Sequence, residues 1–195
     1  MLKLLTLLLV STFSAICHAA TVDWTPLLQS MKRDCAFDLE ALPYEKSEID
    51  RLPTKYRTSV LRSHNKQTAS GSEVLTIELK NSVAFEQPLS ALTIESNEGY
   101  GYVKMKFSPN ADVPKFIALF TTPINRQRGI LAAGKVQNFC IKGAHGTLKQ
   151  YQSSPHHWRV VSSDGPWQEF RYHLKENALS CLRSDQYGDE LRCPK

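Results

Sequence analysis

No stretch of this 195-residue chain holds the roughly 20 consecutive apolar residues that a membrane-spanning helix requires. The longest apolar run, Leu4 to Ile16, follows Lys3 and ends in the small residues of Cys17-His18-Ala19-Ala20. A basic start, a short apolar centre and a small-residue exit are the parts of a secretory signal, so residues 1–20 are expected to be removed after Ala19 or Ala20. The mature chain, 21–195, is then expected to be one globular domain without a transmembrane span, located in a bacterial periplasm or, as second choice, secreted. A lipid anchor on Cys17 is the lesser expectation, because bulky Ile16 stands where acylation sites take a small residue. Glycosylation signals are also missing. None of the seven asparagines lies in an N-x-[ST] sequon, which suits a periplasmic chain.

Catalytic signatures are equally scarce. Neither H-E-x-x-H nor G-x-S-x-G occurs, so there is no zinc-protease helix and no nucleophile elbow to read. Gly129 to Lys135 satisfies the phosphate-loop pattern until Val136, where magnesium ligation needs a Ser or Thr hydroxyl. That string reads as a loop entering an apolar strand. No C-x-x-C pair exists, the cysteine spacings fit no zinc template, and Asp185, Asp189 and Glu190 lack the alternating ligands of a calcium loop. No metal and no cofactor is expected. A hydrolytic or metal-assisted enzyme built from residues distant in sequence, such as His145, His157 and Asp164, stands as an alternative because one sequence hides spatial assembly.

Five cysteines become four when the signal leaves: Cys35, Cys140, Cys181 and Cys193. An even number in an oxidising compartment predicts two disulfides, with three pairings open. The expected pairs are Cys181 with Cys193, which closes a short C-terminal loop, and Cys35 with Cys140, which ties the N-terminal segment to the body.

What the sequence does hold is a series of short alternating segments. Thr25 and Pro26 open a short helix, with Thr25 as cap and Leu27, Leu28 and Met31 at helical spacing. Ser47 to Asp50 has a second cap-like opening that Pro53 cuts short. From residue 72 the period changes to two. Glu73 to Leu79 reads as a strand, and Leu92 to Ile94 leads through Ser96-Asn97-Glu98-Gly99 into Tyr100 to Phe107 as a hairpin, with Tyr102, Lys104 and Lys106 on its wet face. Further strands are expected at 116–121, 139–142, 147–152, 157–162, 168–174 and 179–182. The fold class is therefore mainly β (α+β): an antiparallel sandwich or partly closed barrel with one or two short N-terminal helices. A four-residue turn at Ser163 to Pro166 would set His156 opposite His173 and Trp158 opposite Arg171, and two facing imidazoles could begin a metal site. Hydrogen-bonded or surface histidines are the preferred reading, because a register slip of one residue reverses that geometry.

The formal charge of +5 averages over unlike segments. Residues 51–72 carry five bases and no acid, and residues 113–163 carry seven bases and no acid. So small a total argues against nucleic acid, but its distribution suggests a basic face. Arg126, Arg128, Lys135, Lys142, Lys149 and Arg159, together with Tyr151 and Trp158, are the candidate binding residues, since Arg and aromatic rings are the side chains that anchor interfaces. The bland alternative is that strand alternation disperses them over both faces and the edges. The expected function is a non-catalytic exported binding protein that recognises an acidic protein partner in an inhibitor, immunity or accessory role. Binding of an anionic cell-envelope polymer or lipid head group is the runner-up.

Overall fold

A computed structural model describes residues 20–32, 35–36, 41–69, 71–97, 99–112, 117, 120, 137–142, 148–154, 156–162 and 165–184; for 137–142, 148–154, 161–162 and 165–167 it describes the backbone. The protein is mainly β, as the period-two segments predict. Two short helices, α1 (Thr25–Leu28) and α2 (Thr54–Arg57), precede most of the strands. Pro26 suits the first turn of α1, where no intrahelical bond needs its missing N–H. The cap position belongs to Trp24 rather than Thr25. Asp23 Oδ1 accepts the Thr25 N–H at 2.8 Å, and the Thr25 hydroxyl is used elsewhere, accepting the Phe85 N–H at 2.6 Å. The chain then continues as a tighter 3-10 turn over Gln29–Lys32, and a second such turn covers Lys46–Arg51, where the cap-like opening stands.

The strands are β1 (Val22–Asp23), β2 (Val60–Gln67), β3 (Glu73–Leu79), β4 (Ser82–Ala84), β5 (Gln87–Asn97), β6 (Tyr100–Phe107), β7 (Gln137–Lys142), β8 (Leu148–Ser154), β9 (His157–Ser162), β10 (Gly165–His173) and β11 (Ala178–Ser184). They form two antiparallel meanders, β2-β3-β5-β6 and β7-β8-β9-β10-β11, sewn together where β11 returns beside β6. β4 extends the edge of β5 next to β3, and β1 lies parallel to β4, so the sheet is mixed. It is not closed into a barrel. The expected segment at 116–121 falls largely outside the described residues. β2 carries no strand signal of its own, because its sequence Val-Leu-Arg-Ser-His-Asn-Lys-Gln has no apolar alternation.

Two described hairpin turns contrast in their chemistry. Gly71 closes the β2–β3 hairpin at φ 87°, donating its N–H to Thr68 O, while the Thr68 N–H bonds Ser72 O. No atom lies within 4 Å of where a Cβ would stand, so Gly71 is required by its dihedral and not by space. The β4–β5 turn departs from the usual residues: Phe85 and Glu86 both have positive φ, 52° and 65°, in a two-residue loop that ordinarily takes Asn-Gly. Burial accounts for the Phe. Its ring is 5 % exposed, meets Phe120 edge-on at 5.1 Å and lies under the Lys32 ammonium.

One core fills the inner face of the sheet. Leu75, Ile77, Leu92, Ile94, Val103, Met105, Leu179, Cys181, Phe170 and Trp158 alternate along their strands toward Trp24, Leu28, Met31, Leu42 and Tyr56 of the N-terminal segment. Trp24 stacks at a tilt on Tyr56, 4.9 Å between centroids, and its indole N–H donates to Ser59 Oγ at 3.1 Å. Among the described residues no helix is long and apolar enough to cross a membrane.

The disulfide pairing differs from expectation. Cys35 joins Cys181, not Cys140, and Cys181 is therefore not available to Cys193. β11 is an interior strand, and Cys181 points into the core, where the N-terminal segment lies against it with 5.2 Å between the two Cα atoms. Cys140 stands on β7, four strands away at the sheet edge, roughly 19 Å along the sheet at about 4.8 Å per strand. A disulfide needs Cα atoms only about 5.5 Å apart. Sequence spacing favours the short C-terminal loop, but depth in the sheet decides. Of Cys140 only the strand backbone is described, and Cys193 lies outside the described residues.

Candidate functional site

Pleat parity divides every central strand into an inner and an outer set, and the register aligns the outer sets into rows across the sheet. One row runs His64, Thr76, Thr93, Lys104, Ser180, Arg171, His157 through β2, β3, β5, β6, β11, β10 and β9. The next runs Lys66, Val74, Glu95, Tyr102, Leu182, Glu169, Arg159. The first row mixes bases and imidazoles with hydroxyls, while the second supplies two carboxylates and a tyrosine. On the strands β2, β3, β5, β6, β11, β10 and β9 the outer positions carry Arg62, Lys66, Lys104, Lys106, Arg159 and Arg171 against Glu78, Glu95 and Glu169, and Glu176 adds a fourth carboxylate from the turn after β10.

At the β9–β10 end, Glu169 is the hub. Its Oε1 lies 2.9 Å from His157 Nε2 and accepts from Arg171 Nη2 at 2.7 Å. The imidazole, and beyond it the guanidinium, hold the Glu169 carboxyl below its ordinary range despite partial burial. Toward β6, Lys104 Nζ pairs with Glu176, which lowers that carboxyl too. His173 Nε2 and Ser180 Oγ are 2.9 Å apart. Burial and then the Lys104 charge push the His173 imidazole below its usual value, which favours the neutral ring. Burial also raises Tyr102, more than Lys104 and a Ser180 hydrogen bond lower it. Tyr100 is pushed up to about 12 by burial and by Glu95, Tyr102 and Glu169. Both phenols therefore remain neutral donors at any physiological pH.

The Ser180–His173 contact has the spacing of a nucleophile and its base, yet Ser180 is only 5 % exposed, so its hydroxyl serves the sheet rather than an incoming substrate. Of the distant enzyme set, His157 is bound to Glu169, and His145 and Asp164 lie outside the described residues. No group of three or more His, Cys, Asp or Glu able to hold a metal occurs among the described residues. The facing-histidine pair does not form. Ser162 pairs with Gly165 rather than Trp167, and the bulge between Gly165 and Gln168 takes back only one of those two residues, so Phe170 faces Trp158 and Arg171 faces His157. His156 then sits against Tyr172, whose N–H donates to His156 O at 2.7 Å.

The candidate binding residues are split by the same parity. Trp158, expected on an exposed face, is a core residue at 3 % exposure: it stacks on Phe170 and donates its indole N–H to Phe120 O at 2.6 Å. Its neighbour Arg159 is exposed on the outer face. Tyr151 and Lys149 occupy strand positions in register with the Trp158 side, whereas Lys142 aligns with the Arg159 side. Arg126, Arg128 and Lys135 lie outside the described residues. Lys104, Lys106, Glu169, Arg171 and the two tyrosines were not among the candidates, because charge counted along the chain ignores which strands become neighbours. The wet face foreseen for Tyr102, Lys104 and Lys106 was the available signal. In comparisons with protein-family models, curated proteins and solved structures, nothing matches the chain.

Proposed function

We propose that this chain is an exported, non-catalytic binding protein that engages an acidic protein partner through the outer face of its sheet, in an inhibitor, immunity or accessory role. The observation that carries this reading is the excess of Arg and Lys over Glu on one wide face whose opposite side is the core. Tyr100 and Tyr102 stand among these bases as neutral, rigid contact area, the mixture from which interface anchors are drawn. Ion pairs within the face, Arg171 with Glu169 and Lys104 with Glu176, fix side chains in place before a partner arrives and so reduce the ordering cost of binding. The disulfide between Cys35 and Cys181 suits an oxidising compartment.

The test is capture from periplasmic extract at low and moderate salt, with the wild-type chain and with Lys106→Glu combined with Arg159→Glu. A defined protein retained by the wild type, and at least tenfold less by the double variant at unchanged melting temperature, supports the proposal. Retention of no protein at low salt defeats it. Salt-sensitive binding of anionic polysaccharide or anionic vesicles, with no protein partner, would instead favour an envelope-polymer or lipid binder.

A further inference from the structure

Among the strands whose side chains are described throughout, β2 is the least covered. Six of its eight residues are exposed, and among the described residues it pairs with β3 alone, leaving its other edge open. Natural sheets usually shorten, bulge or cover such an edge. Here the one bulge falls between Val60 and Arg62, so the strand is regular from Arg62 to Gln67.

The hairpin geometry identifies which backbone groups are open. Thr68 and Ser72 form the hydrogen-bonded pair that closes the turn. Antiparallel pairs alternate between bonded and non-bonded, so Lys66, His64 and Arg62 direct their N–H and C=O groups to Val74, Thr76 and Glu78. Ser63, Asn65 and Gln67 therefore turn theirs away from the sheet. The side chains beside this open edge are of one sign. Arg62, His64 and Lys66 stand in line on the outer face, Ser63, Asn65 and Gln67 are uncharged, and no acid occurs anywhere in residues 51–72; of the three bases, Arg62 already pairs with Glu78 of β3 at 2.6 Å, and Asn65 donates to Glu73.

We infer that the open edge of β2 receives an extended acidic segment of the partner protein, with carboxylates at alternate positions, as a strand added to the sheet. This rests on the acidic-partner reading above and specifies how the partner docks. Backbone bonds to Ser63, Asn65 and Gln67 supply the pairing, and alternate side chains of the incoming strand fall beside Arg62, His64 and Lys66. Opposite charges in cross-strand neighbours favour that register, and like charges oppose it. A second copy of the chain is a poor occupant for the same reason, since β2 paired antiparallel with itself sets a row of bases against a row of bases.

The experiment uses a fluorescent eight-residue peptide with glutamate at alternate positions and Val or Thr between, followed by anisotropy. The expected result is saturable binding that the same peptide with lysine in place of glutamate does not show. Methylating one alternate set of peptide amides should weaken binding at least tenfold, and methylating the other set should be tolerated, because only one set faces β2. Asn65→Pro removes an outward N–H and should abolish binding with the melting temperature retained; Lys66→Pro removes an N–H bonded to β3 and should lower it. Should Asn65→Pro fail to fold, the methylated peptides decide alone. Absence of binding, equal tolerance of both methylated sets, or a concentration-dependent dimer lost in Asn65→Pro overturns the inference. If the peptide fails while Lys106→Glu with Arg159→Glu still weakens partner capture, the edge mechanism falls and the acidic-partner reading stands.

Discussion

The two faces of the strands β6, β11, β10 and β9 are built from residues one peptide bond apart, yet different physics holds them. On the inner face Phe170 lies between Phe120 and Trp158, and Cys181 is bonded to Cys35. On the outer face the neighbours Glu169, Arg171 and Ser180 are held by a carboxylate shared between an imidazole and a guanidinium and by a hydroxyl–imidazole contact. Burial fixes the first set with dispersion and the hydrophobic effect, which no solute can replace. Charged and polar pairs fix the second set, and these can be exchanged for pairs with a partner. Stability should therefore reside on one face and recognition on the other.

The strongest challenge to that division is the disulfide. Replacing Cys35 and Cys181 together by Ser frees a cross-link spanning 146 residues, and the chain-entropy estimate for so long a loop is about 4–5 kcal/mol. Thermal unfolding is expected to show that loss. Peptide mapping of the oxidised protein is expected to find Cys35 joined to Cys181. An unchanged melting temperature in the double variant would mean that the N-terminal segment is anchored by packing alone.

A smaller effect contrasts adjacent residues. Phe170→Ala empties a site that is 2 % exposed and should cost about 3–5 kcal/mol. Arg171→Ala, whose side chain is 52 % exposed, should cost less than about 1 kcal/mol. Urea unfolding of both variants measures the contrast. Similar losses would erase the distinction between the faces.

The smallest expected effect is the pH dependence of the outer face. Folding lowers the His173 value below the ordinary 6.5, so between the folded and unfolded values the unfolded chain binds more protons and stability rises with pH. The contribution is whole above about 6.5 and is lost as pH falls through the folded value. Glu169, lowered by His157, adds a second loss in the same direction at pH below 4.5. Melting temperature should therefore fall from pH 7 toward pH 5 in the wild type and more shallowly in His173→Gln. Identical slopes would show that the outer face titrates without consequence for the fold.

Legibility in the sequence followed the same boundary between faces. β3 and β6 appear at their expected residues, and β9 likewise, because one dry side and one wet side leave a period of two in the sequence. β2 left no such trace, since its inner positions Ser63 and Asn65 bury little and the strand is held by backbone pairing with β3. The site was legible only in part. Arg159 is exposed on the outer face, but Trp158 beside it faces the core, a consequence of parity that charge counting does not see. The histidine pair failed for an equally local reason: Ser162 pairs with Gly165 instead of Trp167, and the bulge before Gln168 recovers only one residue of that shift.

By itself the sequence determined the mainly β class, the positions of most strands and the concentration of bases in acid-free segments, because alternation and composition are properties of neighbours along the chain. The tertiary structure alone decided that Cys35 meets Cys181, that Glu169 meets His157 and Arg171, and that the outer rows cross seven strands. Those contacts depend on strand order and register. Both are set by how one shared core is filled, and neither is encoded within any single segment.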